Sequence, residues 1–369
     1  MAEDLKPTDP DAEQFDELYG DSNDPAKLQH GFLARLYTGT GAFEFVAKRK
    51  MWYLISLGFV VISLLAIVIR GFTFGIDFTG GSKLNMPIGD REVSVERVAD
   101  VFEDAVGETP SSVAVVGSGT GRMVEIQSQH LNNREVVLAK MKLAAAFNPK
   151  DINGNTGEAA IGDSTVSNTW GSTVTKKALL ALVVFLVVGG IYIAIRFERD
   201  MALVSILALF FDTFTTAGIY ALIGFEVTPA TVIGLLTILA FSLYDTVVVF
   251  DKVEENTEAA MRHKRHTYAE GANLAINQTI MRSINTTIIS VLPIIALMVV
   301  AVWMLGVGTL QDLALIQLVG VVTGTYSSVC LATPMLVDIK VRYREDVKAH
   351  DAEVLELRKA ATKAELIEA

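Results

Sequence analysis

Six stretches of this chain, at about 51–69, 178–195, 201–224, 228–250, 284–305 and 310–337, are apolar runs of the length a helix needs to cross a bilayer, roughly 20 residues. A chain in lipid must satisfy every backbone N–H and C=O internally, which leaves only helices or closed barrels. Runs without period-two alternation select helices, so the predicted class is an integral membrane α-helical bundle of six transmembrane helices. The formal charge of −11 does not argue against this, because much of it sits in the first thirty residues, among them Glu3, Asp4, Asp9, Asp11, Glu13, Asp16, Glu17, Asp21 and Asp24. An acidic balance excludes nucleic acid as a partner. The single cysteine, Cys330, allows neither a disulfide framework nor a thiolate metal site, and in an apolar pattern it reads as packing.

The acidic stretch 1–30 lacks the large aliphatics a core requires and reads as a disordered tail; it has none of the early basic-then-apolar order of a signal peptide. Residues 31–50 mix aromatics with small polar residues and end in Lys48-Arg49-Lys50, the pattern of an interfacial segment lying on the lipid bilayer. That basic triplet precedes the first span, and Lys252, Arg262, Lys264, Arg265, Lys340 and Arg342 fall on the same side in a six-span topology, which places both termini in the cytoplasm. Lys176 and Lys177 oppose the rule, but they flank a long external segment, where it is weak.

After the first span comes Gly75-Ile76-Asp77-Phe78-Thr79-Gly80-Gly81, a glycine-rich exit read as a hinge, and then a polar stretch to residue 177. Within it, strands near 83–87, 112–116, 122–127 and 159–167 alternate with helices near 93–106 and 133–147. The order β-α-β-β-α-β predicts an extracytoplasmic ferredoxin-like α/β domain between helices 1 and 2. No His pair, Cys cluster or Ser-His-Asp spacing occurs there, and His130 stands alone as a surface residue. The domain is therefore expected to bind or move rather than catalyse, and no metal or cofactor is expected. Residues 251–277 read as a cytoplasmic loop whose Ala-rich second half forms a helix feeding the fifth span, and 340–369 as a charged, helical cytoplasmic tail.

Polar residues inside the spans are the candidates for function. Asp245 lies roughly 8 to 9 Å inside the span end marked by Asp251, at about 1.5 Å of rise per residue. Arg282 enters the fifth span from the same side. Ser242 is one turn from Asp245, and Arg282, Asn285, Thr286 and Ser290 form a polar stripe by i+3 and i+4 spacing. In the third span, Asp212 sits beside threonines; in the sixth, Gly320, Gly324 and Ser328 make a small-residue edge for close helix packing. Two readings fit this seam. Asp245 and Arg282 form either a static pair that fixes helix register or a proton pathway, with Asp212 as a further member, in which a desolvated carboxylate cycles between its two protonation states. Asp251 reads as the wet end of its helix.

Several motifs carry a family resemblance: Gly75 to Gly81 after the first span, Asp245-Thr246-Val247-Val248-Val249-Phe250-Asp251 in the fourth, Asn256, Gln278-Thr279-Ile280-Met281-Arg282-Ser283, and Gly324-Thr325-Tyr326-Ser327-Ser328 in the sixth. Together they resemble SecF, the partner of SecD in the accessory complex of the bacterial Sec translocon, a family related to resistance-nodulation-division transporters. The resemblance implies a non-enzymatic subunit of the bacterial plasma membrane that uses protons as coupling ion to drive late export of polypeptides. It implies as partners SecD, the SecYEG translocon, YajC and the unfolded polypeptide in transit. It also implies that Asp245 and Arg282 are the charged pair of the proton pathway and that the external domain moves. Where the family has Asp-Arg-x-Arg-Glu-Asn, this chain has Asp251-Lys252-Val253-Glu254-Glu255-Asn256, without the two arginines. Two alternatives remain: a proton-independent translocon scaffold, and an intramembrane aspartyl protease, for which Asp212 lacks the usual glycine context.

Overall fold

The structure, a computed structural model, describes residues 43–117, 119–151, 154–263, 265–300 and 308–368. The acidic tail at 1–30 and most of the interfacial segment at 31–50 lie outside the described residues. Six described helices are long and apolar enough to cross a membrane. The first is α1 (Arg49–Ile69), followed by the two-residue β1 (Thr73–Phe74) and the one-turn α2 (Ile76–Thr79).

An α/β domain follows, with β2 (Gly81–Pro87), α3 (Val95–Val106), β3 (Ser112–Val116), β4 (Met123–Ser128), α4 (Asn133–Phe147) and β5 (Gly162–Val166). Its sheet runs in the order β3-β4-β2-β5, and every pair is antiparallel. In β2 and β4 alternate residues are buried, as a sheet with one covered face demands. Leu84, Met86, Val124 and Ile126 meet Val98 and Phe102 of α3 and Ala139 and Leu143 of α4 in one core. Ser94 caps α3, and Asn132 with Glu135 forms a capping box on α4, so both helix starts are written locally.

The bundle continues with α5 (Asn168–Arg196), α6 (Arg199–Ile223), β6 (Glu226–Val227), α7 (Pro229–His263), α8 (Tyr268–Leu297) and α9 (Gly308–Tyr326). A π-helical segment, Ser327–Ala332, then leads into α10 (Thr333–Tyr343) and α11 (Glu345–Glu368). The π segment has a local cause. Pro334 has no N–H to give to the carbonyl four residues back, and its ring crowds that carbonyl, so the hydrogen-bond ladder slips just before it.

Two boundaries differ from the sequence reading. The helix expected from residue 178 begins at Asn168, because Ser167 caps it by accepting from the Trp170 N–H at 3.3 Å, so Lys176 and Lys177 lie within α5. The helix expected to end near residue 250 runs unbroken to His263, since no Pro or Gly interrupts 251–263. Next, Thr267 and Glu270 box the start of α8, so the Ala-rich second half of 251–277 is the helix expected to feed the fifth span, while the first half, expected as a loop, continues α7. Against α8 lies the stretch Phe43–Val46, with Phe45 and Val46 buried, whose backbone N–H groups at Phe43 and Phe45 donate to Asn277 and Asn273, each at 2.9 Å.

In the bundle α6 is an inner helix, with Met201, Val204, Ala208, Asp212, Thr216 and Tyr220 all buried. On α1 and α5 the long apolar side chains of Leu54, Leu57, Leu64, Leu179, Val187 and Ile191 are exposed, as lipid-facing helices require.

Candidate polar seam in the helix bundle

The seam forms where α6, α7, α8 and the π segment meet. The apolar faces of these helices drive their packing, and small residues set how close they come. A Cβ placed on Gly324 would lie 2.9 Å from the Ser242 Cβ, and one on Gly320 would press on Ile238, so α7 and α9 approach at the predicted glycines. Ser328 completes that edge by sharing a hydrogen bond with Thr246 of α7 at 3.0 Å.

Close approach buries both acids. Asp245 is 4% exposed and Asp212 1%. The Ser283 hydroxyl of α8 donates to Asp245 Oδ1 at 2.8 Å. The Ser242 hydroxyl, one turn before Asp245 on α7, donates to Asp212 Oδ2 across the α6–α7 contact. Asp245 Oδ2 and Asp212 Oδ1 have no hydrogen-bond partner among the described residues. The hydroxyls of Ser327 and Ser328, beside them on the π segment, donate back to the Gly324 carbonyl at 3.0 and 2.9 Å. A carboxylate buried with one hydrogen bond is costly in its charged form. Each acid therefore occupies a site where a proton changes the electrostatic balance sharply, with serine hydroxyls that can rotate between backbone and carboxylate.

The structure does not join Arg282 to Asp245. Arg282 is exposed, and its guanidinium donates to the Tyr244 hydroxyl at 3.3 Å. The reason is helical phase: neighbouring residues are about 100° apart around a helix, so with Ser283 facing Asp245, Arg282 must face outward. The whole predicted stripe shares that displacement. Asn285 is exposed, Thr286 donates to the Arg282 carbonyl of its own helix at 2.8 Å, and Ser290 is half-buried, so of the four predicted seam hydroxyls and amides only Ser242 lies in the seam. The buried stripe of α8 is one residue over: Thr279, Ser283 and then Thr287, whose hydroxyl meets Thr325 of α9 at 2.6 Å. Their i+4 repeat was the available signal, masked by the more conspicuous Arg and Asn.

Two other predicted positions also change character. Asp251 is not a helix end: it lies within α7 and pairs with Arg196 at 2.7 Å, both side chains about half exposed. Asn256, by contrast, is buried and donates to Gln278 at 2.9 Å, which pins α7 to α8. Of the expected hinge glycines, Gly75 and Gly81 are closely approached by neighbouring atoms. Gly80 and Gly81 adopt positive φ, 74° and 128°, and a Cβ on Gly81 would strike the Ser128 carbonyl; Asp77 lies in the first turn of α2.

Six membrane-spanning candidates, two buried carboxylates on neighbouring helices and an α/β domain inserted after the first span define a multi-pass membrane protein with a polar seam in its bundle. Comparison with known proteins narrows this. Residues 150–342 match the family model described as protein export membrane protein SecD/SecF, C-terminal, and residues 65–87 match the SecD/SecF GG motif. The chain belongs to the SecD/SecF family. Similar relatives include the protein translocase subunit SecF of Mycobacterium tuberculosis H37Rv, 55% identical over 335 residues, spanning 91% of this chain and 75% of that protein. That of Streptomyces coelicolor is 39% identical over 307 residues, covering 83% and 79%. Among solved structures, SecDF of Thermus thermophilus aligns with a TM-score of 0.69 and 29% identity, covering 81% of this chain and 39% of the SecDF chain. This chain thus spans about two fifths of the SecDF polypeptide.

Proposed function

We propose that this protein is the SecF subunit of a bacterial protein translocase, working with SecD to drive late export of secretory polypeptides with the proton-motive force. The observation that carries the reading is the setting of Asp245: buried among apolar helices, bonded to Ser283 through one carboxylate oxygen, with the other unpartnered among the described residues. An intramembrane acid so placed has the requirements of a proton carrier, since loading and unloading a proton there repays or imposes a large desolvation cost. Asp212, with Ser242, supplies the adjacent station. Export is the activity named for the relatives, and a partner bundle is supported by the outer face of α8. There Arg282 and Asn285 are exposed on a helix otherwise suited to lipid, where an unpartnered charge costs about 2.5–3.5 kcal/mol. SecD packed on that face would bring its own groups to Arg282, making it a responder to Asp245 through Tyr244 and Ser283 rather than by direct pairing.

The α/β domain is read as ferredoxin-like and extracytoplasmic. Its support is the strand order with two helices over an antiparallel sheet, and the concentration of Lys and Arg at the other end of the bundle. The decisive experiment is Asp245→Asn in the full chain with SecD, in proteoliposomes that export a secretory precursor under an imposed proton gradient. The proton-driven fraction of export should vanish while the folded amount of protein stays unchanged. Wild-type proton-driven export by the folded variant would refute the reading and leave the proton-independent scaffold in its place.

A further inference from the structure

At the end of the bundle that carries the α/β domain, one lysine holds together two parts of the molecule. Lys83 of β2 donates to both carboxylate oxygens of Glu226, at 3.1 Å each, and also contacts Glu125 of β4. Glu226 belongs not to the domain but to β6, the connection between α6 and α7 of the bundle. The three side chains are only 14–17% exposed. Asp312, near the start of α9, lies within electrostatic reach of both Glu226 and Lys83. One ammonium thus pairs with two carboxylates from separate elements, with a third within electrostatic reach.

The backbone reinforces the same joint. β1 pairs with β6 in parallel, Thr73 opposite Glu226 and Phe74 opposite Val227, and the Gly75 N–H donates to the Val227 carbonyl at 2.9 Å. A side chain at Gly75 would displace the Glu226 carboxylate, since a Cβ there would lie 2.6 Å from Glu226 Oε1. Nor is the stalk free on its other side: a Cβ on Gly171 of α5 would come within 2.6 Å of the Phe78 carbonyl and 2.9 Å of the Gly80 N–H. The two chain crossings between bundle and domain are therefore packed against each other along residues 75–81. Only Gly71, at φ 72° with open space around it, is a loose point in the first crossing.

We propose that the Lys83–Glu226 pair is an interdomain latch, which seats the α/β domain and its stalk on the α6–α7 connection and, when broken, lets them swing as one body about Gly71 and the first turns of α5. The latch is releasable because it is electrostatically unbalanced. Glu125 stays with Lys83 when the domain moves, so the ammonium is never left without a partner, while the repulsion between Glu226 and Asp312 left behind favours closing again. A pair whose cation keeps one acid on leaving costs less to open than an isolated buried ion pair. The inference concerns where the domain sits and does not depend on Asp245 carrying protons.

The test uses the full chain in lipid nanodiscs, with Cys330→Ala as background and spin labels at Glu103→Cys on α3 and Leu222→Cys on α6, both exposed positions. Pulsed electron resonance should give one narrow distance. Glu226→Gln and Lys83→Met should each raise the displaced fraction about tenfold or more, while Lys83→Arg and Glu125→Gln should keep the narrow distribution. Amide exchange on unlabelled protein gives a second readout: in both disrupting variants the amides of residues 73–75 should exchange about tenfold faster. A distance distribution and exchange rates that match wild type in folded Lys83→Met would overturn the latch. Should Glu226→Gln fail to fold, Lys83→Met decides alone, since it breaks the pair from the other side.

Discussion

Gly320→Ala tests the packing that builds the seam. The added methyl would lie 2.5 Å from Ile238 Cδ1 and nearer still to its Cγ2, where carbon atoms in contact ordinarily keep about 3.5–4.0 Å. Ile238 cannot step aside. It is 2% exposed, its β-branched side chain is held to one rotamer on a helix, and Tyr220 and Ile316 pack around it. Relief must then come from α7 and α9 separating by about an ångström, an overpacking cost of about 1–3 kcal/mol. Replacing Gly by Ala in a helix returns up to about 1 kcal/mol, so the net loss should be about 1–2 kcal/mol. Equilibrium unfolding of the full chain in mixed micelles measures it. A double-mutant cycle with Ile238→Ala sharpens the test: that variant alone should cost about 2–5 kcal/mol, and the new methyl should then enter the vacated space. The double variant should accordingly be more stable than the sum of the singles by about 1–2 kcal/mol. A neutral Gly320→Ala, or strict additivity in the cycle, would refute the argument that this glycine exists to let two helices touch.

Two further predictions follow from neighbouring features. Gly81→Ala combines a backbone angle that L residues rarely adopt with a collision against the Ser128 carbonyl; it should cost more than about 2 kcal/mol and speed amide exchange throughout β2 and β5, and unchanged protection there would contradict it. Asp251→Asn removes a half-exposed pair with Arg196 and should change stability by less than about 1 kcal/mol in the same unfolding assay; a larger loss would show that this carboxylate is not the solvated group its exposure indicates.

How much of the site was legible in the sequence depended on the kind of signal. Asp245 and Asp212 stood out because a carboxylate in an apolar run is improbable without a purpose, and Gly320 and Gly324 because their spacing makes a smooth helix edge. The residues that bind the acids did not stand out. Ser283 is one hydroxyl beside an arginine, and nothing in a linear pattern says which of two adjacent residues faces a neighbouring helix. Choosing the stripe with the larger polar groups put the seam one position off, so Arg282, Asn285 and Thr286 were expected inside and lie outside or along their own helix. The glycine motif carries a related ambiguity: glycine signals freedom or close approach equally well, and the neighbours Glu226, Ser128 and Gly171 show close approach here.

The sequence by itself determined the class of molecule. Six apolar runs fix six helices because lipid offers no other way to satisfy the backbone, alternating patterns and caps fix the α/β domain, and the motifs along the chain point to its family. Tertiary structure alone decided which polar atoms meet: Ser283 rather than Arg282 on Asp245, Ser242 on Asp212, and Lys83 on Glu226 across 143 residues of chain. The physical reason is that helix formation is a local matter of pattern and hydrogen bonds. The rotation of one helix against another is set instead by packing at its whole surface, where a shift of about 100° per residue turns a buried partner into an exposed one.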